Sequence, residues 1–514
     1  MGTKIKFNVE IINDDGNVIV EQLTADGEIP SLEDFQNGEN FRTNFDKLER
    51  TILKARKELS ETIVKEYLEE VSKKKINESA VEGEKKIEEN GYSIEAEIGR
   101  INIDTHKIIK GSRTVYDTRR DVFPRKLPLE NYRSMCLNEL ILFLPCDSSY
   151  RTSSKILNRV RWQEEEQLNH QTIANTIERE GNSIRKHIED KTQEILGRNG
   201  FNSKGIVTDE FKQNYEYPKA NHIEEENIYK TIDNYNEGKH KDLQIELSEI
   251  HETFEKPEVP VNISIDDVGA KKQKESGRSK YSKHKQKGTR EYVKNTVLHV
   301  QKGMGSYIIN GSSIFESLKW LMAFLLSNNL INETLLVFFV DGADDLKVGI
   351  DKLFGWIPYK MILDWYHLKK KCEQRLSLTI KGSINRNMVL EELTSYLWVG
   401  KVEQAIEYLK GLNKNMLKNE EEIKRLISYF DRNWSFIPCY ALRKVLGLRV
   451  SSNIGEKSND LVVADRQKNN GMSWSKSGSV NLATVTTMHV NNQQNNWNKN
   501  RQIDFEFVET KKAA

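Results

Sequence analysis

Cysteine is scarce in this sequence: only four residues among 514 are cysteine, and no two of them form a CxxC pair. Their scattered positions indicate neither a zinc ribbon nor a disulfide framework, and a reducing cytoplasm fits this usage. The four are Cys136, Cys146, Cys372 and Cys439.

Long apolar runs are also missing. No stretch of about 18 consecutive apolar residues occurs, so no transmembrane helix is predicted. The N-terminus lacks the apolar core of a signal peptide. Met1-Gly2 is followed by Ile5 and Lys6 where a myristoylation signal has Ser or Thr, so lipidation is not expected. The sequence therefore predicts a cytoplasmic protein with no membrane partner.

A surplus of one charge sign is absent as well, because 78 Lys and Arg residues stand against 77 Asp and Glu residues, for a net charge of +1. The hydrophobic fraction of 37% allows a buried core. The length suffices for roughly three domains of about 150 residues each. Net charge alone does not indicate a nucleic-acid partner, but the distribution of charge along the chain does.

Two short apolar runs in the second half of the chain end in carboxylates. Residues 335–340 are rich in β-branched and aromatic side chains, which predicts a strand covered on both faces, and Asp341 follows. Residues 359–363 end at Asp364, and His367 comes three residues later. Strand ends of this kind bind ligands in open α/β sheets, and Mg²⁺ prefers carboxylate oxygens. A turn explains Asp341 by itself, and a helix cap explains Asp364 by itself. For either acid alone we favour this structural interpretation over a metal site.

A third strand with an acidic end is predicted further upstream. Val259, Val261, Ile263 and Ile265 alternate and lead into Asp266-Asp267. Directly after it, residues 271–294 carry ten Lys or Arg residues against two acids, a local balance of 10 − 2 = +8. Charge runs are usually solvated surface, but this one adjoins an acidic strand end, so we favour contact with a phosphate backbone. The predicted DNA-binding cations are Lys271, Lys272, Lys274, Arg278, Lys280, Lys283, Lys285, Lys287 and Arg290.

The N-terminal region, 1–125, is predicted to be α+β. Residues 4–23 indicate a β-hairpin. Apolar residues from Phe41 to Leu59 recur at spacings of four and three, and the pattern continues to Leu68, which predicts a long amphipathic helix. Packing within its own domain and a dimer contact explain that helix about equally well. Residues 92–109 alternate as strands.

Residues 126–200 are predicted to be helical. Helices at 132–144 and 150–160 are followed by a third that Asn169 can cap, and polar side chains at its start suggest a helix-turn-helix. A plain three-helix bundle produces the same pattern, and we favour the DNA-binding interpretation only slightly. Its candidate contacts are Arg151, Thr152, Asn169, His170, Gln171 and Thr172.

The remaining boundaries follow from composition. Residues 201–258 are polar with little periodicity and are predicted to be a linker. Residues 259–490 give the order strand, strand, strand, helix, strand, strand, with a helical insertion at about 380–446; this is the ribonuclease H-like order. The Asn- and Gln-rich end, 491–514, is predicted to be a flexible tail.

Five segments between about residues 130 and 490 resemble DDE-type transposases of bacterial insertion sequences, in the broad Mutator-like group. They are, in order, ISIDDVG, NTVLHVQKG, VFFVDGADDLK, ILDWYHL and IGEKSNDLVVADRQKNNGMSWSKSG. DWYHL matches the D-x-x-H element of that family, and GMSWSKSG resembles the segment that follows its catalytic glutamate. The chain lacks the cysteine-rich N-terminal ribbon of some relatives, which leaves open how its N-terminal region recognises DNA.

The resemblance implies a catalytic and metal-binding triad of Asp266, Asp341 and Glu456, with Asp267 as the alternate first ligand. It implies two Mg²⁺ (or Mn²⁺) ions, which activate water and stabilise the leaving 3′ oxygen in phosphodiester cleavage. Asp364 and His367 are expected to organise the site or contact DNA. A buried structural pair, with His367 bonded to Asp364, is an equally supported alternative.

Three functions compete on this evidence. The first is a transposase that binds element ends and target double-stranded DNA, as a homodimer or larger assembly, and cleaves and joins strands. The second is a ribonuclease H-like nuclease without strand transfer. The third is a silent DNA-binding relative. The presence of three acids argues against the third, and the predicted helix-turn-helix and insertion favour the first. A cytoplasmic protein that joins the bacterial nucleoid when bound to DNA is expected.

Overall fold

The computed structural model of the protein describes ten stretches of the chain, and its contacts divide them into two compact units, Met1–Thr176 and Ile177–Ala514. The described stretches are 3–12, 18–30, 41–123, 132–161, 168–215, 221–246, 254–273, 291–332, 335–468 and 472–509. Within them, no helix is both long enough and apolar enough to cross a membrane.

The first unit begins with the predicted hairpin, β1 (Thr3–Ile12) paired antiparallel with β2 (Val18–Ile29). The predicted long helix follows as α1 (Phe41–Ser79). Its second half packs on a four-stranded sheet, where Tyr92 and Ile103 are fully buried. That sheet and the short helix beside it consist of β3 (Lys85–Ala96), β4 (Gly99–Lys110), β5 (Arg113–Asp117), α2 (Thr118–Asp121) and β6 (Tyr132–Arg133).

Three helices follow, as predicted, and share a small core: α3 (Met135–Asp147), α4 (Tyr150–Val160) and α5 (His170–Arg198). The first begins later than predicted, because residues 132–133 pair with β3 and Ser134 caps the helix. Asn169 caps α5 as predicted, accepting a hydrogen bond of 2.8 Å from the Thr172 N–H.

The stretch predicted to be a linker, 201–258, is folded in its described part. It contains α6 (Asp209–Asn214) and α7 (Glu225–Asn236). Ile228 and Ile232 of α7 are buried against Ala441 and Leu442 of the C-terminal half. The linker prediction was wrong here, because a few apolar residues at helical spacing are enough to anchor a helix whose other positions are polar.

A mixed six-stranded sheet forms the centre of the second unit and gives the chain an α/β fold. In space the strands run β11-β10-β7-β8-β9-β12, where β12 is Val508–Glu509. The first three in sequence pair antiparallel, and β10 and β11 are parallel to β7. The elements are β7 (Val261–Lys271), β8 (Tyr292–Lys302), β9 (Gly305–Gly311), α8 (Ile314–Ser327), β10 (Leu336–Val340), α9 (Asp344–Phe354) and β11 (Tyr359–Leu363).

Helices dominate the rest of the second unit. Between β11 and the end of the chain they are α10 (Trp365–Thr379), α11 (Ser383–Trp398), α12 (Val402–Lys410), α13 (Glu420–Asn433), α14 (Tyr440–Val445), α15 (Asn453–Asn459), α16 (Asp465–Gln467), α17 (Lys476–Val490) and α18 (Gln494–Asn500). A π-helical turn, Asp460–Ala464, separates α15 from α16. Helices α11 to α14 lie within the predicted insertion.

The prediction of a flexible tail was wrong for residues 491–509. Strand β12 (Val508–Glu509) pairs with β9, and Trp497 and Phe505 are buried. Arg501 Nη1 lies 2.6 Å from the buried carboxylate of Glu180. A few large anchors fix this segment, although the residues between them are mostly Asn, Gln and Lys.

Candidate active site

The register of the parallel strands brings three acids to one edge of the sheet. Phe339 pairs with Ser264 and Val340 pairs with Leu363. Continuing each pairing past the last strand residue places Asp341 level with Asp266 on one side and with Asp364 on the other. This is the carboxyl edge of the parallel strands, as the sequence predicted. The predicted end of the first strand at Asp266 was wrong, because β7 continues to Lys271 through its pairing with β8.

Asp266 faces a pocket that His367, Glu456 and Asn459 also line. The Asn459 amide donates a hydrogen bond of 2.7 Å to Asp266 Oδ2. The pKa of Asp266 is raised to about 6, chiefly by burial; His367 opposes this shift, and the nearby Asp341 carboxylate contributes to it. Each of these two carboxylates makes ionisation of the other less favourable, so a cation bound between them would be stabilising.

Asp267, the alternate first ligand, points away from this pocket. Its carboxylate accepts a hydrogen bond of 2.5 Å from Thr296 Oγ1 and lies 3.3 Å from Lys294 Nζ, both on the neighbouring strand β8. Successive strand residues face opposite sides of a sheet, so only one of the two aspartates can share a site with Asp341. The geometry favours Asp266.

Asp341 lies in a tight turn as well as at the edge of the site. Its Oδ1 accepts a hydrogen bond of 2.9 Å from the Ala343 N–H, and Gly342 has a positive φ of 87°. The Tyr429 hydroxyl donates a hydrogen bond of 3.1 Å to the Asp341 carbonyl oxygen. The turn interpretation is therefore confirmed, and the turn leaves Asp341 level with Asp266 at the same edge of the sheet.

Asp364 is 1% exposed and caps α10. Its Oδ1 accepts a hydrogen bond of 3.0 Å from the His367 backbone N–H, and its Oδ2 accepts one from the Ser452 N–H. The capping interpretation of this acid is confirmed. The suggested pair of Asp364 and His367 is therefore formed by the backbone N–H of the histidine, which leaves the imidazole ring available for another contact.

That contact is with Glu456. His367 Nε2 lies 3.3 Å from Glu456 Oε1. Burial raises the pKa of Glu456, the neighbouring His367 opposes this shift, and the charge of Asp364 adds to it. Asp460, which follows α15, is exposed and does not line the pocket. Of the two acids on this segment, the structure brings Glu456 to Asp266.

Two site residues escaped the sequence analysis. Asn459 lies three positions after Glu456, on the same helical face, and this spacing was the available signal. Gly455 lets α15 approach β7 closely: a Cβ built on it would lie 2.6 Å from the Ser264 Cβ. The Ser264 Oγ is buried and, within the described part of the chain, has no hydrogen-bond partner.

The described residues contain no group of three or more His, Cys, Asp or Glu side chains arranged to hold a metal ion. The donor chemistry nevertheless fits a divalent cation, because Asp266 and Asp341 are carboxylates whose mutual repulsion a cation would relieve. In this arrangement Glu456 is engaged by His367.

The predicted DNA-binding residues are only partly described. Lys271 is exposed at the end of β7, and Lys272 Nζ lies 2.7 Å from Glu291. Arg151 and Gln171 are exposed on α4 and α5, and Thr172 is partly exposed. The other cations lie outside the described residues: Lys274, Arg278, Lys280, Lys283, Lys285, Lys287 and Arg290.

Comparison with protein-family models gave no matching family, and comparison with curated proteins gave no match.

Proposed function

We propose that the protein is a DDE-type transposase that cleaves DNA at element ends and joins the freed 3′ ends to target DNA. The observation that carries the proposal is that Asp266, whose pKa is raised to about 6, shares a pocket with Glu456 and lies level with Asp341 at one edge of the sheet. Clustered carboxylates with perturbed pKa values are typical of catalytic sites.

The sheet supports the same proposal. Three antiparallel strands are followed by a helix and two strands parallel to the first, and the spatial order, without β12, is β9-β8-β7-β10-β11. This is the strand order of ribonuclease H-like nucleases and transposases. In this proposal Asp266, within β7, and Asp341, directly after β10, supply the first two acids of the site.

The residues of the site have distinct roles in this proposal. Asp266, Asp341 and Glu456 would hold Mg²⁺ or Mn²⁺, and two such ions supply an activated water and stabilise the leaving 3′ oxygen. Asn459 orients the Asp266 carboxylate through its hydrogen bond. His367 holds the carboxylate of Glu456 in place through their contact.

Asp364 acts as a positioning residue. It bonds the first turn of α10, which carries His367, and the backbone of Ser452, which precedes the helix of Glu456. One buried carboxylate thus ties together the two segments whose side chains meet at 3.3 Å. DNA contacts are assigned in this proposal to the basic segment 271–294 and to the exposed side chains of α4 and α5.

The test is a strand-transfer assay. Purified protein is incubated with Mg²⁺, a plasmid target and a labelled duplex taken from the DNA that borders the coding sequence. Joining of labelled 3′ ends to the plasmid is the expected result. Cleavage without joining would assign the protein to the nucleases, and specific binding without cleavage would make it a silent DNA-binding relative.

A further inference from the structure

A cationic groove lies between helices α10 and α13, outside the pocket that Asp266 and Glu456 line. It encloses about 370 Å³. Lys371 and Arg375 line it from α10, and Lys424, Arg425 and Arg432 line it from α13. None of these positions belongs to the basic segment 271–294.

The two helices run antiparallel, so the cations form two facing rows. Lys371 Nζ lies 5.4 Å from the centre of the Tyr429 ring. Arg375 lies one turn later on α10 and bonds Glu422, which lies about two turns earlier than Tyr429 on α13. Along α13, the positions from Lys424 to Arg432 span about 12 Å of helix axis. That length corresponds to roughly three to four base pairs of duplex, at about 3.4 Å per phosphate along one strand.

The groove begins at the edge of the candidate active site. The Tyr429 hydroxyl lines it and also donates the hydrogen bond to the Asp341 carbonyl oxygen. On α10, Lys371 lies one helical turn after His367, which contacts Glu456. A strand held in the groove would therefore lead directly from the acids.

The acids in and around the groove leave its cations able to bind phosphate. Glu422 is buried and bonded by both Arg375 and Arg425, so this cluster holds the two arginines in place. Lys424 pairs with Glu421 at 2.7 Å on the exposed surface, and such pairs contribute little free energy, so water or phosphate can replace them.

Arg432 makes a similar contact, 3.4 Å from Asp344. Both side chains of that pair are more than half exposed. Five cations against Glu421, Glu422 and Asp344 leave a balance of 5 − 3 = +2. This surplus faces an open groove that no other part of the proposed mechanism uses.

We propose that this groove binds the phosphate backbone of the DNA strand that leaves the active site. The proposal rests on the proposed function, since it takes DNA as the substrate, and it adds a second, sequence-independent contact surface. Phosphate contacts of this kind set affinity and register and carry no sequence information.

The test compares two charge-matched triple variants in the full-length protein. The groove variant is Lys371→Gln, Lys424→Gln and Arg432→Gln, which leaves the cluster around Glu422 intact. The control is Lys212→Gln, Lys230→Gln and Lys410→Gln, whose lysines each pair with an acid three or four residues away on the surface. Binding of a short labelled duplex of arbitrary sequence is measured without metal, as a function of salt concentration.

The expected result is a shallower salt dependence for the groove variant alone. Removing one lysine or arginine from a phosphate reduces the slope of log K against log salt by about 0.9, so the triple change should reduce it by up to about 2.7. Ser428→Asp, which adds a negative charge to the groove without breaking an ion pair, should also weaken binding, whereas Ser203→Asp on an exposed loop should not.

The outcomes separate the two proposals. If wild-type protein binds the duplex and the groove and control variants have equal slopes and affinities, the groove proposal is wrong and the proposed function is untouched. If Ser428→Asp and Ser203→Asp bind like wild type, the same conclusion follows even where the triple variant folds poorly. If wild-type protein binds no DNA at all, both proposals fail.

Discussion

His367 Nε2 lies 3.3 Å from Glu456 Oε1, and this contact joins the helix after β11 to the helix that packs on β7. It explains how two segments nearly ninety positions apart in sequence reach the same site. It also distinguishes Glu456 from the other acid of its segment, Asp460, which is exposed.

This contact leads to a prediction about the third acid. Glu456→Gln keeps the size of the side chain and removes its charge, so the fold should survive while cleavage of an end substrate falls by at least about a hundredfold, as expected for loss of a group essential to the transition state. Asp460→Asn should cleave within a few-fold of wild type. Thermal melting of both variants serves as the folding control. Normal cleavage by Glu456→Gln together with an inactive Asp460→Asn would assign the third ligand to Asp460.

A second prediction concerns Asp266 and pH. Its pKa is about 6 in the folded protein, above the ordinary value of 3.8, so its ionisation opposes folding. The stability associated with the protonated form is fully present below pH 3.8 and is lost as pH rises through 6. Asp266→Asn should therefore stabilise the metal-free protein at pH 8 by up to about 3 kcal/mol and have little effect near pH 4.

The measurement is urea unfolding in EDTA at both pH values, followed by melting with added Mg²⁺. Wild-type protein should melt at a higher temperature when Mg²⁺ is present, and Asp266→Asn should respond less. Equal stabilisation of both proteins by Mg²⁺ would remove Asp266 from the metal site. This readout does not depend on finding the DNA substrate.

A third prediction tests the close approach at Gly455. In Gly455→Ala the new methyl group would meet the Ser264 Cβ at 2.6 Å, so α15 must shift away from β7 and carry Glu456 with it. We expect a loss of about 1–3 kcal/mol in unfolding free energy and a large loss of cleavage. Gly197→Ala is the matched control, because it also changes a helical glycine but meets nothing within 4 Å. Equal behaviour of the two variants would contradict the assigned role of Gly455.

A fourth prediction concerns the capping carboxylate. Asp364→Ala leaves two backbone N–H groups, a part-buried one of His367 and a buried one of Ser452, without their acceptor, so unfolding free energy should fall by about 2–4 kcal/mol. Asn419 caps the start of α13 on the surface, and Asn419→Ala should cost about 1 kcal/mol. Urea denaturation measures both. A loss for Asp364→Ala no larger than that of Asn419→Ala would exclude a structural role for the buried carboxylate.

Strands β10 and β11 and their acidic ends could be predicted from the sequence because each signal is local. An apolar run of five or six residues that stops at an aspartate marks a buried strand and its edge without knowledge of the partner strand. The direction in which Asp266 and Asp267 face depends on the pairing with β8, where Thr296 and Lys294 engage the second of them. Sequence alone left that choice open.

Other features could not be predicted because they depend on contacts distant in sequence. Gly455 matters only because Ser264 lies beside it, and nothing local marks that approach. The segments 201–258 and 491–509 look unstructured by composition, yet Ile232 and Trp497 are buried in partners far along the chain. The groove between α10 and α13 exists only once the two helices pack side by side.

The most direct test of the account is metal-dependent cleavage by the three acids together. Wild-type protein, Asp266→Asn, Asp341→Asn and Glu456→Gln are incubated with labelled end DNA in Mg²⁺, in Mn²⁺ and in EDTA. The account predicts cutting by the wild type with either metal, none in EDTA, and loss of nearly all turnover in each variant whose fold is intact. Efficient cutting in EDTA, or by a folded Asp266→Asn or Asp341→Asn variant, would contradict it.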